Sequence, residues 1–506
     1  MKRKSMDRRE FVKTTALGGA ALAGIKTKTA GSAAASPDPH AGIQIYCHNL
    51  LDEGIDRTLD RLRELGQIDT LYLTTHTYYC AVNRPPPVLA NHGIPIRDER
   101  ERRFPKIWLR SDDSFYRDTI LRHQANPRDF EYGDRDLFEE IQKPLRSRGM
   151  KLFARWYEPS DLNRVLVDGK PSIANWEKVL VVDMNGKPGK APCWNHPDYR
   201  EWLRASVLDM FSHYELDGMQ YGAERVGPLS EQLFRQGFTP TCFCRHCVAA
   251  NQARGFDVER ARTGYRQLSG LMDEVQRDIL PADGIITTIL RIFQKYPEVL
   301  GWNYQWLQAD VEIHKIIYDA VKSVNPAAEV ARHVDHQRSS WDILFRAAVP
   351  YSDMEGSCDW IKPILYHRVF GPRLHHWKLA EEHKTLTREL TLEQSLDLFY
   401  SLFHYDAKIF PALDQLDEGI PPEYVYVETR RAVEATGGRV PVASGIGIDI
   451  PWNNEPYPSK PESVYRAVQL AFQAGARGVV ASREYDEMQL ANIKAFGDAV
   501  RDFARG

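Results

Sequence analysis

Three cysteines crowd into the segment Cys242-Phe243-Cys244-Arg245-His246-Cys247. The C-x-C-x-x-C spacing lets three thiolates converge on one ion, because a tight turn reverses the chain between them. Cys193, in Pro192-Cys193-Trp194-Asn195-His196, is the candidate fourth ligand. Four sulfurs leave no coordination position open, so the expected role is structural: zinc, or the vestige of a zinc site. Buried free thiols and a disulfide are the alternatives. Carboxylates interleaved with aromatic and basic residues form the second reactive set. They end several short apolar runs, as in Trp156-Tyr157-Glu158, Tyr221-Gly222-Ala223-Glu224-Arg225, His333-Val334-Asp335-His336, Tyr366-His367, Asp449-Ile450-Pro451-Trp452 and Arg483-Glu484-Tyr485. Aromatic faces stack on the C–H surfaces of pyranose rings, while carboxylates and guanidinium groups hydrogen-bond hydroxyls. A carbohydrate ligand is therefore expected, with Trp156, Tyr157, Glu158, Tyr221, Arg225, His333, Asp335, Tyr366, His367, Trp452 and Arg483 as candidate contacts.

The elements that must position these groups repeat one pattern from Gly42 onward: an apolar run, a connection, an amphipathic helix and a Gly or Asp turn. Candidate strands are Ile43–Asn49, Thr70–Tyr79, Lys151–Pro159, Leu216–Glu224, Glu329–His336, Trp360–His367, Val440–Ile450 and Gly478–Tyr485. Candidate helices include Asp134–Arg148, Pro197–Tyr214, Trp306–Val324, Pro422–Thr436, Pro461–Ala474 and a last one from Asp486 to Ala504. Leu203, Val207, Leu208 and Phe211 carry the spacing of a helix packed on a sheet. Eight such units predict an α/β fold, a (β/α)8 TIM barrel whose eighth strand pairs with its first. A plain barrel needs only about 250 residues, so long insertions in the βα loops are expected, mainly after strands two and four. A doubly wound sheet is the competitor, but no Gly-rich phosphate-binding turn follows the first strand. In such a barrel catalytic groups project from the C-terminal ends of the strands, where the carboxylates above fall.

The segment Cys193 to Cys247 resembles the structural zinc cluster of family 42 glycoside hydrolases, the β-galactosidase-like enzymes, which place one cysteine ahead of strand four and three after it. Here Trp194 stands where that family has Pro. The resemblance implies a glycosidase with its acid/base Glu at the end of strand four, which is Glu224, although the residue before it is Ala223 rather than the family's Asn. Glycoside cleavage needs one carboxylic acid to protonate the departing oxygen and one carboxylate to attack or to activate water. For the second, Asp449 at the end of strand seven is the first choice, then Glu484, then Asp335. A partly apolar pocket around Glu224 is expected to raise its pKa.

Two rival readings stay open. His333, Asp335 and His336 could ligate a metal from one strand end, which suits a metal-dependent sugar isomerase or epimerase. A barrel that binds carbohydrate without turnover is the other. Composition excludes more than it selects. Lys+Arg 66 against Asp+Glu 69 argues against nucleic-acid binding, and 43% hydrophobic residues provide for a large core. No Gly-rich motif implies an organic cofactor, and no apolar run approaches the roughly 18 residues of a membrane span. Residues 1–35 read as an address: Lys2, Arg3 and Lys4, then Arg8-Arg9-Glu10-Phe11-Val12-Lys13, a weakly apolar stretch from Ala16 to Ile25, and Ala33-Ala34-Ala35. This resembles a twin-arginine export signal. It implies recognition by that export machinery and a periplasmic or secreted protein, with residues 36–506 forming one elaborated catalytic barrel.

Overall fold

The computed structural model describes residues 39–76, 92–93, 107–123, 132, 134–158, 166–167, 170–234, 237–348 and 350–505; the export signal expected over residues 1–35 lies outside them. Eight parallel strands close into a barrel: β1 (His40–Ile45), β2 (Thr70–Thr74), β3 (Lys151–Tyr157), β4 (Gly218–Gly222), β5 (Glu329–Val334), β6 (Trp360–Leu365), β7 (Ala443–Gly447) and β8 (Gly478–Ser482). Each pairs with its neighbours in chain order, and β8 closes onto β1 with Gly478 opposite His40 and Ala481 opposite Ile43. The expected (β/α)8 fold is the observed one.

Seven strands are followed by a longer helix that packs outside: α1 (Ile55–Gly66), α2 (Leu137–Ser147), α3 (Pro197–His213), α4 (Glu298–Val324), α6 (Glu423–Thr436), α7 (Pro461–Gln473) and α8 (Leu490–Arg505). After β5 the place is taken by the short α5 (Ile343–Ala348). Local chemistry starts these helices: the Asp136 side chain accepts from Glu139 N at 3.0 Å at the head of α2, and Pro197 occupies the first turn of α3. The first strand is displaced from its expected span. It begins at His40, and Cys47–Glu53 is a helix because Asn49 Oδ1 accepts from Tyr46 N at 3.3 Å, turning the chain out of the sheet. Insertions follow β2 and β4 as expected, but the connections over 158–196 and 366–422 are also long. The β4 insertion holds helices Val258–Gln276 and Ile285–Lys295, which pack with α4 around Tyr265 and Trp302 as a core of their own.

The barrel interior changes character along its axis. Its lower layer is apolar, built from Tyr72, Phe153, Ala331, Trp360, Ala443 and Val480. Above it, Arg155, Gln220, Gln44, His333 and Lys362 point inward from alternate strand positions, since residues two apart share a face. Gln44 Nε2 donates to Gln220 Oε1 at 2.6 Å across the lumen.

The outer ring closes where α8 passes α1. A Cβ on Gly497 would lie 1.9 Å from Leu65 O and 2.8 Å from Gly66 Cα. Gly497→Ala must push these helices apart, and overpacking of this kind costs about 1–3 kcal/mol. A lowered urea midpoint for the variant is the expected result; an unchanged midpoint would contradict the close approach.

Candidate active site at the barrel mouth

Glu224 follows β4 at the C-terminal mouth, and its side chain remains 44% exposed. His333 Nε2, from β5, lies 3.4 Å from Glu224 Oε1. The half-buried Tyr157 ring at the end of β3 stands edge-on to His333, with centroids 5.7 Å apart. Beneath them Lys362 is fully buried and donates from Nζ to Tyr366 Oη at 3.0 Å. These residues form one cluster around a single open carboxylate.

The electrostatics differ from the expectation of a raised Glu224 pKa. Burial pushes the carboxyl up, but the hydrogen bond to His333 and the electrostatic pull of His333, Arg373 and Lys362 outweigh it, and the net direction is down. His333 is itself depressed to about 4, first by desolvation and then by Lys362. Above that pH it is neutral, so near pH 7 it serves Glu224 as a hydrogen-bond partner and the residual attraction comes from the cationic side chains. Lys362 is driven well below the ordinary lysine range by burial and by Arg155, with Glu224 and Glu484 pulling the other way.

The other carboxylates proposed from the sequence are occupied. Asp449 is 4% exposed, and its oxygens accept from Ser459 N at 2.7 Å, Gln489 N at 2.7 Å and Asn492 Nδ2 at 2.7 and 2.9 Å. It pins the β7 loop to the start of α8: three donors make four hydrogen bonds to its two oxygens, whereas an attacking carboxylate is expected to stand open to substrate. Glu484 is 1% exposed and receives both Arg155 guanidinium nitrogens, each at 2.8 Å. Asp335 Oδ1 accepts from Arg338 N at 3.1 Å and caps the π-helical turn Gln337–Trp341.

Several expected sugar contacts also lie away from the mouth. Trp156 and Tyr221 face outward and are buried against Trp202 and His314 respectively, because on β3 and β4 their parity is opposite to that of Arg155 and Gln220. Glu158 is buried; its oxygens receive Trp194 Nε1 at 2.6 Å and lie 2.7 Å from Arg225 Nε. Arg225 also donates to Pro192 O at 2.6 Å, so this pair braces the loops. His367 Nε2 meets Ser463 Oγ at 2.8 Å on α7. The buried His336 ring packs on Tyr366, centroids 5.3 Å apart. Tyr366 borders the Glu224 cluster, Arg483 pairs with Glu487 from Nε to Oε2 at 3.0 Å, and half-buried Trp452 reaches the rim, 5.2 Å from Trp377. Arg155, Lys362 and Arg373 were not selected from the sequence. A charged residue inside an apolar strand was the available signal, and strand parity would have aimed Arg155 and Lys362 into the lumen.

Cys193, Cys242, Cys244 and Cys247 converge, with all four sulfurs within 4.8 Å of one another. Cys193 Sγ lies 3.5 Å from Cys244 Sγ and 3.4 Å from Cys247 Sγ. A tetrahedral ion with Zn–S of about 2.3 Å implies edges of about 3.8 Å, so the sulfurs need to open only slightly. Val182 N and Asn195 Nδ2 donate to Cys242 and Cys247 at 3.4 and 3.3 Å, which would stabilise thiolates. Among the described residues His333 and Asp335 join no comparable group of ligand atoms.

No protein-family model and no curated protein sequence matches this chain. Among solved structures, the glycoside hydrolase domain of PgaB (BpsB) from Bordetella bronchiseptica is similar with a TM-score of 0.50 and 12% identity, covering 92% of this chain and 98% of that one. A β-galactosidase from the psychrophilic Marinomonas ef1 gives 0.49 at 10% identity, covering 92% of this chain and 59% of that one. α-L-Fucosidase isoenzyme 2 from Paenibacillus thiaminolyticus gives 0.43 at 13% identity, covering 92% of this chain and 49% of that one. This chain thus spans between about half and three-fifths of the length of the last two. The likeness is one of fold, a (β/α)8 barrel such as these glycoside hydrolases contain.

If Asp449 is a pin, Asp449→Asn should destabilise the protein, because the amide turns a donor toward groups that are themselves donors. Leaving such groups unpaired costs about 1–3 kcal/mol. A depressed urea midpoint is expected. Unchanged stability combined with abolished turnover would instead return Asp449 to a chemical role.

Proposed function

We propose that this protein is an exported glycoside hydrolase that cleaves an oligosaccharide or glycoside with two carboxylates, Glu224 serving as the general acid. The observation that carries the reading is the open Glu224 carboxylate at the barrel mouth, flanked by Tyr157 and hydrogen-bonded to His333. Export rests on the basic, Gly/Ala-rich segment at residues 1–35 and its likeness to a twin-arginine signal. Glu484 is the preferred second carboxylate, because the Arg155 that holds it lies 5.9 Å from the Tyr157 ring beside the Glu224 cluster, so it borders the mouth from inside the barrel. Arg155 orients Glu484 through two hydrogen bonds of 2.8 Å. Tyr157 offers a ring to the sugar, and Lys362, Tyr366 and His333 hold the floor of the site in place.

Glu224 must gain a proton before it can donate one. With its pKa held below the ordinary glutamate value, the fraction able to donate grows as pH falls from 7 toward 4, so kcat/KM should rise over that range. Glu224→Gln should lower turnover of natural glycosides by roughly 10²-fold or more, and much less for substrates with activated leaving groups. A kcat/KM that declines on acidification while the protein stays folded would reassign Glu224 as the base. Full activity of both Glu224→Gln and Glu484→Gln would overturn the glycosidase reading.

The cysteine cluster is proposed to hold a structural zinc ion, with Cys193, Cys242, Cys244 and Cys247 as ligands. Its support is the convergence of the sulfurs and their N–H donors. Metal analysis of freshly purified protein should find zinc at the cluster, and Cys193→Ser should lose it and melt at a lower temperature. Zinc-free protein that melts with the zinc-loaded form would count against a structural role.

A further inference from the structure

The long connection after β6 gathers three ligating side chains on the rim that the catalytic reading does not use. His375 and His376 are neighbours in the π-helical turn Leu374–Leu379, and Asp417 comes from the 3-10 turn Leu413–Glu418. His375 Nδ1 lies 3.0 Å from Asp417 Oδ1, and His376 Nε2 lies 3.0 Å from Oδ1 and 3.2 Å from Oδ2. The two imidazoles stack with centroids 4.2 Å apart. Consecutive residues of an α-helix diverge by about 100°; the wider π turn narrows that angle and lets both rings meet one carboxylate. Such turns are rare and recur at functional sites.

We propose that His375, His376 and Asp417 form a binding site for a divalent first-row transition metal, distinct from the cysteine cluster. The donor set selects the class: two imidazole nitrogens and one carboxylate suit zinc, cobalt or nickel, whereas calcium and magnesium favour oxygen ligands throughout. The spacing agrees. Two ligands held about 2.1 Å from one ion at right angles are about 3.0 Å apart, which matches the separations from each histidine nitrogen to the carboxylate. Binding needs no loss of charge from the rings, because a neutral imidazole can move its proton to the other nitrogen, Nε2 in His375 and Nδ1 in His376, and present a lone pair to the ion.

The site is anchored but accessible. Tyr457 Oη donates to Asp417 O at 2.6 Å and fixes the acidic residue against the β7 connection, and Trp452 stacks on His376 with centroids 5.7 Å apart. The side chains of His375, His376 and Asp417 are 23%, 44% and 52% exposed. Three protein ligands therefore leave coordination positions that open to solvent, unlike the closed cysteine site.

Full-length protein, dialysed free of loosely held metal, would be titrated with Zn²⁺ by calorimetry, with bound zinc counted after equilibrium dialysis. Wild-type protein should take up one zinc per chain that both His376→Ala and Asp417→Asn bind at least tenfold more weakly. Both side chains are exposed, so melting temperatures should stay at the wild-type value. Substituting Co²⁺ gives an independent readout: the variants should lose a visible band without loss of the thiolate-to-metal absorption that cysteine ligands produce. Equal zinc uptake and affinity in wild type and both variants would overturn the proposal, as would wild-type protein that binds no zinc in excess of its cysteine cluster.

Discussion

The mouth of this barrel depends on one buried carboxylate, Glu158. Its oxygens receive Trp194 Nε1 at 2.6 Å and Tyr199 Oη at 2.5 Å, and sit 2.7 Å from Arg225 Nε. These partners come from the cysteine loop, α3 and the β4 loop, so one charge binds three separate segments to the end of β3. A buried carboxylate is tolerated only when compensated, and removing one partner of such a pair costs about 3–5 kcal/mol. The geometry follows from adjacency. Tyr157 precedes Glu158, Glu224 precedes Arg225, and Cys193 precedes Trp194. The cysteine cluster therefore bears on the site through Trp194, whose ring also lies 4.7 Å from the Arg225 guanidinium.

Above its apolar layer the barrel interior is polar, and that shapes the chemistry available. The Arg155–Glu484 pair, Lys362 and the Gln44–Gln220 bridge lie inside the barrel, away from bulk water. Charges fixed there act with less screening than at the surface, and they need no reorganisation when charge develops in a bound ligand. Around Glu224 the His333 hydrogen bond and the pull of His333, Arg373 and Lys362 outweigh desolvation, so its carboxyl titrates below its ordinary value. His333 shows the opposite outcome of the same environment: desolvation and Lys362 keep the ring neutral over most of the working pH range.

The insertions make the rim. The connection after β6 supplies Arg373, which feels the Glu224 charge, and Trp377, which packs beside Trp452 from the β7 connection. A barrel with plain turns would leave the Glu224 cluster on an open surface. Here the rim elements carry their own hydrophobic anchors, such as Phe370 stacked on Tyr424 of α6 with centroids 4.5 Å apart.

The eight-strand order, the ring of helices and the convergence of the four cysteines were legible in the sequence, because each rests on local or periodic information. Apolar runs at β/α spacing specify parallel strands buried on both faces, and C-x-C-x-x-C specifies a turn that brings thiolates together. Glu224 was legible for the same reason, as a carboxylate just past an apolar run. Strand ends were harder to read: the apolar pattern ran on past β7 to Ile450, although Asp449 there adopts a left-handed φ of 52° and turns its carboxylate to Asn492. Which partners each carboxylate meets was decided only by tertiary structure. Asp449 and Glu484 meet partners 43 and 329 residues away, and His375 and His376 meet Asp417 across 42 and 41. Sequence spacing carries the period of a strand or helix. The burial, field and hydrogen-bond partners that set a side chain's role come from segments joined only when the barrel closes.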